Sequence, residues 1–188
     1  MKKFTAIHRI LHWGIALGMG VLLVTGFYRV VWLGRKTISE IIQVGLANNG
    51  VSVERSDLRN ITSELINPWF QWHTYAAYLV LVLYIIRMLY TFKRGIVFPN
   101  PFSSNFSAKE RFQGSMYIVF YILLFVQIFT GFYMEWGGTE FKKPLETIHK
   151  WAVYWTPIFI GVHFIGILIA ENSNGKEKGV VSKMIGGE

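Results

Sequence analysis

LETIHKWAVYWTPIFIGVHFIGILIA, residues 145–170, is apolar over enough length to cross a bilayer, yet it carries two histidines, His149 and His163. Between them a helix turns through roughly 1400°, ~40° short of four full turns, and advances ~21 Å. Both imidazoles therefore leave one face of the helix at opposite depths of the hydrocarbon. Two more histidines, His12 and His73, stand in other apolar stretches at matching depths.

The rest of the chain agrees with a membrane setting. Of the 188 residues 52% are hydrophobic and 16% aromatic, with positive mean hydropathy, too apolar for a soluble domain of this length. The composition implies one all-α membrane domain in contact with lipid. There is no cysteine, so disulfides, iron-sulfur clusters and thioether-linked haem are excluded. A charge of +8 invites comparison with nucleic-acid binders, but the basic residues flank apolar spans, where topology explains them and nucleic acid is not implied. The first span has no small-residue cleavage site and runs on into Tyr28 and Arg29, which argues against a removable signal.

Hydropathy predicts spans at about 7–33, 69–92, 112–134 and 146–170. Gly14, Gly18 and Gly20 strip bulk from the first beside His12, for a flat macrocycle or a neighbouring helix. Residues 34–68 form an unusually long outer connection. Within it Thr37 and Glu40 have capping-box spacing, Ile38, Ile41, Ile42 and Leu46 make a helical stripe, and Asn48, Asn49 and Gly50 supply a stop. A short amphipathic helix is expected there, as a lid or as a docking surface. Residues 93–111 read as a basic, proline-punctuated loop, and Pro157 should kink the last span. Residues 171–188 read as a polar cytoplasmic tail.

With both termini on one side, that side holds eleven Lys and Arg against four acids, and the other holds eight against seven. Both termini should be cytoplasmic, in a bacterial inner membrane, and six of the seven tryptophans then gather at the outer interface. TGFY closes the first span at 25–28 and the third at 130–133, while His73, Ala76 and Tyr78 recur as His149, Ala152 and Tyr154. A tandem repeat of two helical hairpins gives this pattern; its rival is chance similarity in apolar sequence. In the repeat, Arg87 takes the place of His163 and Tyr117 that of His12.

Each ionisable side chain in hydrocarbon costs on the order of a few kcal/mol, so four histidines at two depths call for a purpose. Bonding to neighbouring helices would explain one; axial ligation of two stacked haems, one near each surface, explains all four. By depth, His73 and His149 pair at an outer iron, and His12 and His163 at an inner one. Two imidazoles per iron leave no open position, so such haems carry electrons. Rings about 10 Å across on a ~21 Å spacing leave a short gap for tunnelling. Arg87 and Arg9 are candidate cations for the inner haem's propionates and Lys150 for the outer one's, each with snorkelling at the interface as its alternative. His8, one turn before His12, could ligate in its stead, relay protons to a quinone, or be a wet interfacial residue. Another metal, such as zinc, fits separated histidine pairs without carboxylates less well.

RILHW at 9–13, Thr25-Gly26, His73 followed by Arg87, Thr130-Gly131 and the pair His149/His163 together resemble the four-helix di-haem cytochrome b family. That family includes prokaryotic cytochrome b561 and the cytochrome b subunits of nickel-iron hydrogenases and formate dehydrogenases. The resemblance covers nearly the whole chain. It implies a four-helix membrane bundle with two non-covalent b-type haems on His12, His73, His149 and His163. It also implies electron exchange between the quinone pool and a periplasmic or membrane-anchored redox protein: a hydrogenase, a dehydrogenase or a multihaem cytochrome. VVSKMIGG at 180–187 looks like the hydrogenase branch, the small size like stand-alone cytochrome b561, and neither bars a homodimer. Two rival expectations are a self-sufficient superoxide:quinone reductase and a haem-free helical transporter or assembly factor.

Overall fold

The computed structural model describes residues 4–94, 99–172 and 179–186, in which seven helices and no strand occur. They are α1 (Ala6–Val31), α2 (Arg35–Asn48), α3 (Arg55–Arg94), α4 (Ala108–Trp136), α5 (Lys142–Lys150), α6 (Ala152–Glu171) and α7 (Val180–Ile185). Helices α1, α3, α4 and the run α5–α6 are long and apolar enough to cross a membrane. Their exposed positions carry large apolar side chains, among them Leu17 (70% exposed), Leu89 (64%) and Leu168 (61%). Such surface is costly in water and costless against lipid. The chain divides into two compact units, Leu17–Leu79 and Met1–Ala16 with Val80–Glu188.

In the Leu17–Leu79 unit, α2 lies in the long connection, with Ile38, Ile42 and Leu46 half-buried on one stripe and Ile41 exposed, off the stripe that includes it in the sequence reading. The capping box expected at Thr37 and Glu40 does not form. The helix starts two residues earlier, Gly34 is its N-cap without a side-chain bond, and Glu40 pairs with Lys36 instead. Gly50, at φ 72°, ends the segment in the left-handed region that glycine enters without steric cost.

A second correction concerns the second span, expected from residue 69. Helix α3 begins at Arg55 and runs through Pro68. Leu58, Thr62 and Ile66 repeat every fourth residue, and Thr62 and Ile66 are buried. The Thr62 hydroxyl donates to the Leu58 carbonyl (2.7 Å) and lies 3.0 Å from Ser39 Oγ of α2. Pro68 removes only the bond to the Glu64 carbonyl, and Glu64 is exposed, so water can replace it.

In the other unit, Ser107 caps α4 in a true capping box: Glu110 N donates to Ser107 Oγ, and Ser107 N donates to Glu110 Oε2 (2.9 Å). The preceding loop packs on α4, with Arg111 Nε donating to the Pro101 carbonyl (2.9 Å) and Gly114 buried against the Pro99 carbonyl. A Cβ at position 114 would overlap that backbone oxygen, which has no rotamer by which to move. Gly114→Ala should therefore destabilise the protein by about 1–3 kcal/mol, the range of overpacking, seen as a lower midpoint of thermal unfolding in detergent.

The fourth span, expected to be continuous over 146–170, is interrupted at Trp151. There Trp151 N bonds the Ile148 carbonyl (3.1 Å) and Tyr154 N the Trp151 carbonyl (3.0 Å), three-residue spacings that tighten the turn between α5 and α6. Pro157, where a kink is expected, lies inside α6. The tail contains α7. Glu171 accepts from Gly179 N (2.9 Å) and Val181 N (2.8 Å), and Trp13 Nε1 donates to the Met184 carbonyl (3.2 Å). Lys2, Lys3, Lys176 and Lys178, used to orient the chain, lie outside the described residues.

Candidate functional site

His12 on α1 and His163 on α6 face each other, with ring centroids 6.1 Å apart and planes at 46°. Two imidazoles bound to opposite sides of one metal through bonds of about 2.0–2.1 Å would have centres roughly 6 Å apart. Phe159, one turn before His163, stacks on its ring (6.0 Å, 11°) and on Phe120 of α4 (4.5 Å, 26°), making an apolar wall beside the pair. No cluster of three or more His, Asp or Glu side chains occurs among the described residues. A lone imidazole pair cannot complete the shell of zinc or another small ion. It does complete that of an iron whose other four positions are filled by a planar macrocycle.

Cations attend this pair. Arg9 Nη1 is buried without a hydrogen-bond partner, an orphaned donor that a carboxylate such as a propionate would satisfy. Arg87 is only 9% exposed and no carboxylate lies within ion-pair distance of it among the described residues. Its Nη1 donates to the His8 carbonyl (3.1 Å), its Nε to Tyr121 Oη (3.2 Å), and its Nη2 lies 3.2 Å from His8 Nε2. A guanidinium only donates, so His8 accepts there, and its Nε2 lone pair is engaged with Arg87. His12, not His8, thus faces His163. Of the glycines singled out near His12, a Cβ on Gly14 would press on Leu83 and Gly18 is buried, whereas a Cβ on Gly20 would meet nothing within 4 Å.

His73 and His149 stand in separate units with matching surroundings. In the first, Thr25 Oγ1 donates to the Val21 carbonyl (2.7 Å) and lies 2.9 Å from His73 Nδ1; in the second, Thr130 Oγ1 donates to the Val126 carbonyl (2.8 Å) and lies 2.9 Å from His149 Nδ1. Each hydroxyl has one proton, committed to a backbone carbonyl one turn earlier. Its oxygen then accepts from the ring, fixing the proton on Nδ1 and leaving the Nε2 lone pair for a metal. The glycine after each threonine clears the space: a Cβ would meet Cε1 of His73 at 3.5 Å from Gly26 and of His149 at 3.2 Å from Gly131. Phe70 also stacks on His73 (6.0 Å, 8°). Lys150 pairs with Glu146 at 2.7 Å, so its charge is already matched.

A family model described as prokaryotic cytochrome b561 matches residues 3–187. The chain belongs to that family. It is a multi-pass membrane protein of a helical b-type cytochrome family, one whose members bind haem and transfer electrons. No curated protein and no solved structure matched the chain. The TGFY repeat quoted in the sequence thus has a chemical content that the sequence did not reveal, a threonine that selects a histidine tautomer and a glycine that admits its ring.

Thr130→Val keeps the shape and removes the acceptor. Loss of a ligand-orienting bond of this kind typically costs about 10–100-fold in affinity for the bound group. Haem retention should fall in Thr130→Val and in Thr25→Val alike, measured as pigment lost during dilution in detergent.

Proposed function

We propose that this cytochrome b561 family member holds two b-type haems and carries electrons across a bacterial inner membrane, between quinone and an extracytoplasmic redox protein. The observation that carries the reading is the facing pair His12 and His163, spaced for one iron, with a buried cation donor nearby on Arg9 and no acidic ligand cluster. His12 and His163 would hold the inner haem; His73 and His149, matched in their threonine and glycine neighbours, are proposed for the outer one on the sequence repeat.

A haem held by these histidines would supply one-electron transfer. The chain's own residues do the rest. Thr25 and Thr130 hold the ring proton at Nδ1 so that Nε2 can bind, Phe159 keeps the His163 ring dry and upright, and Arg9 and Arg87 offset propionate charge. The termini are proposed to be cytoplasmic, and α2 with the first turns of α3 is the proposed docking face for the redox partner.

Purified protein should be reduced by quinol and should pass electrons only to an added redox protein. Turnover with superoxide alone would instead favour a self-sufficient superoxide:quinone reductase.

A further inference from the structure

We infer that Gln127, acting with Trp155, is a positioning residue for His149 and makes that ligand site unlike the one at His73. The inference rests on the ligand reading above. The tight turn at Trp151 falls two residues after His149, and Gln127 of α4 packs against it there. Trp155 Nε1 can only donate, so the Gln127 amide oxygen accepts from it at 3.2 Å, and the amide nitrogen donates to the His149 carbonyl at 3.0 Å; its 3.1 Å approach to His149 Nδ1 makes no bond, because the hydrogen of that ring nitrogen goes to Thr130.

His149 is consequently held at two points, its backbone by Gln127 and its ring by Thr130. The repeat that carries Thr25 onto Thr130 and His73 onto His149 carries Leu22 onto Gln127 and Leu79 onto Trp155. Leucine has no polar atom with which to hold a carbonyl, and α3 runs uninterrupted through His73. The two histidines therefore share the threonine and glycine but differ in this brace. An axial imidazole fixed at both backbone and ring keeps one plane orientation, and ligand orientation and outer hydrogen bonds tune both the ferric electronic structure and the potential of a haem.

The test is Gln127→Leu, which installs the residue of the equivalent position, read by electron paramagnetic resonance of the ferric protein and by redox titration. The expected result is full haem content, a moved low-spin signal and a shifted midpoint for the haem that His149→Ala removes, and no change in the other. Trp155→Phe, which keeps the ring volume and loses the indole donor, should move the same signal in the same direction, and it decides the matter if Gln127→Leu does not fold. Signals and midpoints unchanged from the parent in Trp155→Phe, or in a folded Gln127→Leu, would overturn the inference. If His149→Ala keeps both haems, the ligand reading itself fails. If His149→Ala loses a haem while the Gln127 and Trp155 variants are silent, only the positioning role fails.

Discussion

On the proposed ligand assignment, His163→Ala should remove one haem per chain, leave the other in place, and stop electron transfer across the membrane. The side chain is half-buried and stacks on Phe159, so deleting it removes little packing. What it removes is one of two imidazoles whose ring centroids lie 6.1 Å apart, the pair proposed to hold one iron. An iron left with His12 alone has an open position and loses the low-spin state of a closed shell. Pigment content, the optical spectrum and quinol-driven reduction of the remaining haem check this, and added imidazole should partly restore the bis-nitrogen spectrum in His163→Gly. His12→Ala should give the same result, whereas His8→Ala should keep both haems, since His8 is engaged with Arg87.

The second large effect is a change of sign at Arg87. Arg87 lies toward the end of α3, where a cation costs less than about 2.5–3.5 kcal/mol, the insertion-scale value at a helix centre, and no acid among the described residues offsets it. Without haem, Arg87→Leu should therefore be neutral or stabilising, although it strands His8 Nε2 and Tyr121 Oη. With haem, the same substitution removes a hydrogen-bonded cation from the propionates, and a bond to a charged group contributes about 1.5–3 kcal/mol, a tenfold or greater loss of haem retention. Paired thermal unfolding of apo and holo protein would show it: a lower midpoint in both states would mean that Arg87 is merely structural.

Much of this was legible in the chain itself. The spans announced themselves because charge is absent from their apolar windows, and His12 and His163 could be paired by depth alone. Helix ends were less legible. Pro68 looked like a boundary, but at an exposed turn the bond it removes is replaceable, and α3, with Thr62 and Ile66 buried, starts at Arg55, well before Trp69. Thr37 with Glu40 offered capping-box spacing but misses the helix start, because Gly34 and Arg35 begin α2 early, whereas the box that forms, Ser107 with Glu110, was not singled out.

Lys150, proposed from its position as a propionate partner, forms an i,i+4 pair with Glu146 that was not singled out in the sequence. Contacts between helices were the hardest to foresee. Nothing local says that Thr25 reaches His73, that Gln127 reaches the His149 carbonyl, or that Arg87 rests on His8 and Tyr121, because each depends on which helix faces which.

The most direct test counts the haem per chain in the purified protein by extraction and pairs that count with the ferric resonance spectrum. The account predicts two haems, both low-spin with two nitrogen axial ligands, one lost with His163 and the other with His149. A count other than two, or a haem that survives both substitutions, would contradict it.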